Sequence, residues 1–314
     1  MEVKNILDDA IQVKLTNRDK ATHFALCNDG KIRYLISLAG GKKRLAYNLS
    51  SYSNKLALLM KMLNILPFSL LKAGNLGYYA EVDFCHEISD YIDRIIQKEY
   101  KLESYQWNMI VGTYDEKQKI VVQCFNQDYP NIFFKIGNEN SAKEMTAEID
   151  FLAESPKFCR FDIPEILSSQ TLDKNHQFNI QVTKEFLGNK VEPVITVDIY
   201  KIFQEISAYK NFNVKNNKKD NIIPHSFSHG DFAPWNLKLN DNRYIVFDWE
   251  HCGIRFYGFD LIHYVFQIEN LLNGKSIDEA VDIAVTTLKR YDKDCILDKE
   301  TLKYLYFEEC KKSY

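Results

Sequence analysis

Three β-rich runs, WNMIVGTY from Trp107, KIVVQCF from Lys119 and NIFFKIG from Asn131, follow one another with only short polar, turn-rich segments between them. Connections that short leave room for antiparallel pairing and none for crossover helices, so this stretch is expected to form an antiparallel meander. A helix is expected next, over Ser141 to Glu154, where Met145, Ile149 and Leu152 recur on one face and Glu148 lies in the same turn. Sheet followed by helix implies an α+β chain, and 314 residues at 46% hydrophobic content suffice for two cores.

Before the meander, HFALCNDGKIRYLISL places an Asp-Gly pair between two β-rich runs, a hairpin signal. The apolar run Leu56 to Leu71 is expected as a helix capped by Ser51 or Ser53 and ended or kinked at Pro67. Lys61, Asn64 and Pro67 interrupt it, and it falls short of the roughly 20 apolar residues a membrane span needs. YYAEVDF reads as a strand, and His86 to Lys98 as a helix with Ile88, Tyr91, Ile92 and Ile95 on one side.

After the meander, Glu165 to Leu167 and Phe178 to Phe186 read as strands and Ile195 to Ala208 as a helix. NFNVKNNKKDN at 211 to 221 reads as a basic polar loop, and helices are expected at about 258 to 271, 276 to 291 and 298 to 311. With 40 basic against 43 acidic residues, nothing in the overall charge favours nucleic acid or an anionic membrane as partner. Seven scattered cysteines without a CxxC pair, and a charged first stretch unlike a secretory signal, lead to the expectation of a cytoplasmic protein.

The chemistry concentrates in SHGDFAPWNLKLNDNRYIVFDWE, residues 228 to 250. Asp231 is followed five residues later by Asn236, and twelve residues beyond that an apolar run delivers Asp248, with a hairpin through Asn240 to Asn242 between them. Phosphoryl transfer needs a carboxylate at the attacking hydroxyl and oxygen ligands for magnesium, and these three residues supply them. His229 would brace the loop from within, and Pro234 would fix one of its backbone angles.

HGDFAPWN and FDWE, with FDLIHYVF at 259 to 266, resemble the catalytic loop, metal-binding aspartate and following helix of the aminoglycoside phosphotransferase and choline kinase superfamily. The resemblance implies a bilobal protein kinase-like fold: an antiparallel-sheet nucleotide lobe over 101–187, a mainly helical catalytic lobe over 188–314, and an extra α+β segment over 1–100. It implies ATP and Mg2+, with Asp231 as base, Asn236 and Asp248 on the metal, and Asp260 supporting the loop from the next helix. Glu250 makes a DxE pattern like that of the choline and ethanolamine kinase branch, near metal or acceptor; it reads equally well as a surface carboxylate. Lys135 would take the α and β phosphates, paired with Glu148 or, second, Glu144. Backbone groups around Glu185 to Leu187 would meet the adenine edge.

Two departures stand beside the resemblance. The loop GTYDEKQK has Gly112 as its one glycine, which leaves phosphate contact to Thr113, Lys117 or Lys119, and a single helix and a basic loop separate hinge from catalytic loop. The expected activity is transfer to a hydroxyl of a small molecule, a sugar, aminoglycoside or amino alcohol. Trp235 and Trp249 would either face a cationic acceptor or pack. The alternative is a catalytically inactive kinase-like binding or regulatory module. A protein kinase is disfavoured, because only eleven residues separate Asp248 from Asp260 and leave no activation loop.

Overall fold

The computed structural model describes residues 9–41, 66–154, 157–173, 177–209, 211–215 and 222–313. The Ser51 and Ser53 caps and most of the apolar run at 56 to 71 lie outside these residues. The chain divides into two compact units, residues 1–149 with 164–186 and residues 150–163 with 187–314.

The first unit is built on one nine-stranded sheet. Along the chain come β1 (Ile11–Leu15), β2 (His23–Asn28), β3 (Lys31–Ser37), helix α1 (Phe68–Ala73), β4 (Gly77–Phe84) and α2 (His86–Tyr100). The meander follows as β5 (Gln106–Val111), β6 (Lys119–Phe125) and β7 (Ile132–Gly137), and then α3 (Ala142–Glu154). β8 (Phe161–Asp162) belongs to the second unit, after which β9 (Ile166–Asp173) and β10 (Gln177–Lys184) return to the first. The order is β1-β4-β2-β3-β5-β6-β7-β10-β9, all antiparallel.

Residues 9–100 do not stand apart, because β3 pairs with β5 and joins their four strands to the meander. The hairpin between β2 and β3 turns at Asp29 (φ 51°) and Gly30 (φ 73°), the left-handed geometry that Asp-Gly tolerates. Pro67 precedes α1 and so starts a helix, as its fixed φ allows at a first turn. Alternation sorts the sheet: Ile120, Val122, Phe134, Ile136, Ile180 and Val182 face a core shared with Ile88, Tyr91, Ile92 and Ile95 of α2.

The second unit is mainly helical. Its elements are β8, β11 (Asn189–Lys190), α4 (Val197–Ala208), β12 (Asn211–Lys215), β13 (Ile222–Ser228), β14 (Leu237–Asn240), β15 (Arg243–Val246), β16 (Gly253–Phe256), α5 (Phe259–Gln267), α6 (Ile277–Tyr291) and α7 (Lys299–Ser313). The expected basic loop at 211 is in part a strand: Asn211 to Lys215 pairs with β13, and the short alternation of Phe212 and Val214 among polar residues fits that pairing. β14 and β15 form the expected hairpin, turning at Asp241 (φ 44°) and Asn242 (φ 70°). Among the described residues no helix is long and apolar enough to cross a membrane.

Candidate active site

β13 ends at Ser228, and the chain then turns sharply through His229, Gly230 and Asp231. Gly230 has φ 88°, and a Cβ there would lie 2.0 Å from the His251 carbonyl, so the turn demands glycine. Asp260, buried in the first turn of α5, collects the turn's donors: the His229 amide (2.7 Å), the Gly230 amide (3.0 Å) and the Ser228 hydroxyl (2.7 Å). A carboxylate holding two backbone amides from another element fixes the loop as a rigid body.

His229 is fully buried beside the Trp249 ring, with centroids 4.4 Å apart. Its Nε2–H donates to the Phe247 carbonyl (3.0 Å), and Nδ1 accepts from the Asp231 amide (3.3 Å). That burial holds the ring's pKa below its ordinary value, despite the nearby Asp260, Asp231 and Asp248. A neutral ring thus ties the loop to the end of β15 and braces it from inside, as expected.

Asp231 is half-buried at the end of this turn. Asn236 donates from Nδ2 to both its backbone carbonyl (2.8 Å) and its Oδ2 (2.9 Å), and His263 of α5 lies 3.1 Å from Oδ1. Burial pushes the Asp231 carboxyl up, but the hydrogen bond from His263, the neighbouring His229 and the hydrogen bond from Asn236 outweigh it and hold the pKa below the ordinary carboxylate value. The base position is therefore ionised near neutrality.

Asn236 spends its amide nitrogen on Asp231, which leaves Oδ1 as its oxygen donor. The Phe247 amide donates to the Asn236 carbonyl (3.1 Å), so the chain reaches Asp248 directly beyond that bond. Asp248 adopts φ 68°, a left-handed conformation costly for a residue with a Cβ and frequent at functional sites. Carboxylate oxygens of Asp248 and Glu250 lie within 4.8 Å of each other. These donors are all oxygen, the set that hard divalent cations take, and so fit magnesium. Glu250 is not a bare surface group, its side chain being only 16% exposed and 3.6 Å from the His251 ring. Trp249 resolves to packing: fully buried, its Nε1–H donates to the Val246 carbonyl (2.9 Å).

In the first unit, Lys135 of β7 reaches Glu148 of α3 at 2.9 Å, the first of the two partners expected. Glu144 takes Lys117 and Lys119 instead, each at 2.7 Å. Burial raises the Glu144 carboxyl, and the two lysines outweigh that to lower it overall. Of the three candidate phosphate contacts in the glycine-poor loop, the two lysines are thus ion-paired to α3. The Glu185 amide donates to the Asn131 carbonyl (2.9 Å), and its carboxylate accepts from the Asn131 amide (3.0 Å) and Nδ2 (2.7 Å). That bond extends the β7–β10 ladder by one residue, and Leu187 beyond it is exposed.

No family model matches the chain, and no curated protein does. Solved structures do align with it. The crystal structure of an aminoglycoside-3'-phosphotransferase of type VIII aligns over 72% of this chain and 99% of its own, at 11% identity and TM-score 0.47. An amicoumacin kinase in complex with AMP-PNP, Ca2+ and Ami aligns over 73% and 90%, at 12% identity and TM-score 0.43. A macrolide 2'-phosphotransferase from Brachybacterium faecium aligns over 71% and 89%, at 10% identity and TM-score 0.41.

Three participants were not expected from the sequence. Ser228 and Gly230 were visible in the motif, and their parts follow only from the bonds to Asp260. His263 lacked metal-ligand spacing and so carried no signal of its own. Its signal was the spacing Asp260, His263 and Gln267 on α5, which puts three polar groups on one face of an apolar helix.

Proposed function

We propose that this chain is a Mg2+- and ATP-dependent phosphotransferase that moves the γ-phosphoryl group to a hydroxyl of a small molecule, a sugar, aminoglycoside or amino alcohol. The observation that carries the reading is the Asp231 carboxylate, kept ionised between Asn236 and His263 on a loop whose backbone Asp260 holds. Asp231 orients the acceptor hydroxyl and takes its proton as the new oxygen–phosphorus bond forms and the bond from the γ-phosphorus to the departing ADP breaks.

Asn236 Oδ1, Asp248 and Glu250 would hold the metal, which supplies neutralisation of the charge that develops on the leaving phosphates. Lys135, oriented by Glu148, serves the α and β phosphates. Catalysis of this kind is mostly positioning plus electrostatics, and the second unit's loop is rigid in the sense this requires.

The inactive kinase-like module keeps one observation in its favour, the pairing of Lys117 and Lys119 with Glu144. ATP binding and slow ATP hydrolysis, measured with and without Mg2+ on wild type, Asp248→Ala and Asp231→Asn, separate the two readings. Metal-dependent binding lost in Asp248→Ala, with Asp231→Asn binding but not turning over, supports the enzyme. Wild type lacking metal-dependent binding and turnover refutes it in favour of the module.

A further inference from the structure

His263 and Tyr306 are both buried, at 3% and 1% exposure, in a helical layer whose neighbours are aromatic and aliphatic. A histidine in such a place needs partners for both ring nitrogens, because an unpaired one costs about 1–3 kcal/mol. It has them. Nε2 lies 3.1 Å from Asp231 Oδ1 and Nδ1 lies 3.0 Å from the Tyr306 hydroxyl on α7. The ring is stacked on Phe259 one turn earlier in α5 (centroids 5.6 Å, interplanar angle 12°), so its plane is set by packing as well.

Hydrogen-bond polarity fixes the proton. The Asp231 carboxylate is ionised and can only accept, so Nε2 carries the hydrogen. Nδ1 is then the acceptor, and the Tyr306 hydroxyl donates to it. Gln267 also approaches His263 Nε2, at 2.9 Å between nitrogens. Two N–H groups cannot serve each other, so the Gln267 amide is turned with its oxygen toward the ring, an exchange of O and N that leaves the side chain's shape unchanged. Every group in the line Tyr306, His263, Asp231 is thereby matched.

Asn236 belongs to the same loop as Asp231 and moves with it, so it cannot by itself register the carboxylate against the rest of the unit. His263 comes from α5 and Tyr306 from α7, elements that the loop does not contain. Resting on the kinase reading above, we infer that His263, held in its Nε2–H form by Tyr306, is a positioning residue that fixes the Asp231 carboxylate for attack by the acceptor. It touches neither acceptor nor nucleotide in this role. One Asp231 oxygen is set by His263 and the other by Asn236, and each retains further lone-pair capacity for the acceptor proton.

The test uses the full chain with Mg-ATP and water as acceptor, together with nitrogen NMR of the histidine rings. Expected are a histidine locked as Nε2–H, whose signal is absent from His263→Gln and displaced in Tyr306→Phe and Asp231→Asn. In turnover, His263→Leu is expected to lower kcat about 100-fold, the scale of a 1 Å misplacement, with KM for Mg-ATP within about twofold. His263→Gln, whose Nε2 sits where the ring Nε2 sat, is expected to recover kcat to within about tenfold of wild type.

Unchanged kcat in His263→Leu, or a ring carrying its proton on Nδ1, overturns the inference. Should His263→Leu fail to fold, His263→Gln and Tyr306→Phe decide: Tyr306→Phe with wild-type kcat and an undisplaced ring signal overturns it equally. A wild type with the Nε2–H signature but no Mg-ATP turnover overturns the kinase reading and the catalytic part of this inference together. Turnover without that signature overturns the inference alone.

Discussion

At the scale of single residues, the second unit spends an unusual number of bonds on one turn. Asp260 binds two amides and a hydroxyl, His229 joins the turn to Phe247, and Asn236 and His263 share the Asp231 carboxylate. Asp231→Asn keeps the shape and removes the base, so kcat is expected to fall by about 10²- to 10⁴-fold with Mg-ATP binding preserved, as checked by turnover and calorimetric binding. Gly230→Ala is a different case. It forces a Cβ into the His251 carbonyl at φ 88°, and loss of stability by about 2 kcal/mol or more is expected in urea unfolding, with turnover falling alongside. Asp231, Asn236 and Asp248 were legible in the sequence because their residue types and spacing have few other uses. His263 left only the weak trace of its spacing with Asp260 and Gln267, and only the folded helix shows which carboxylate it meets.

Secondary-structure elements were legible where side-chain alternation or helical spacing decides them, and illegible where backbone bonding does. The meander, the two hairpins and the helices from α2 to α7 follow apolar periodicity or Asp/Asn/Gly turns. β12 is less clear: Phe212 and Val214 alternate over only five residues at the start of a run rich in asparagine and lysine, and pairing with β13 at a sheet edge gives it its strand character. α3 shows the same limit for charges. Periodicity placed Glu144 and Glu148 on the helix, but the assignment of Lys135 to Glu148, and of Lys117 and Lys119 to Glu144, depends on sheet register. The two clusters should therefore respond differently. Lys135→Ala removes a charge-assisted contact proposed for nucleotide, worth about 1.5–3 kcal/mol, and is expected to raise KM for Mg-ATP by roughly 10- to 100-fold. Glu144→Gln acts on partly exposed pairs, and its effect in urea unfolding is expected to stay under about 1 kcal/mol.

For the molecule as a whole, the sequence suggested two lobes, while the partition of residues 1–100 required the β3–β5 pairing. His23 of β2 lies at that seam. Its Nε2–H donates to the Trp107 carbonyl (2.9 Å), its ring lies 4.0 Å from the Trp107 ring, and Nδ1 accepts from the Thr22 hydroxyl (2.9 Å). Burial, only partly opposed by the Trp107 carbonyl and Asp83, lowers its pKa to about 4. In the unfolded chain a histidine titrates near 6.5, so between these values the unfolded state holds a proton that the folded state does not. Stability from neutral His23 is full above the unfolded value and is lost as pH falls toward the folded one. By about pH 5 the loss should be about 2 kcal/mol relative to about pH 7.5. His23→Gln cannot titrate but retains an N–H for the Trp107 carbonyl. Its urea-unfolding free energy, subtracted from that of wild type, should therefore show the wild type losing ground by that amount on acidification. A difference that stays flat with pH would mean that His23 is hydrated or already protonated at the seam, so that the nine-stranded sheet is not closed between β3 and β5 in solution.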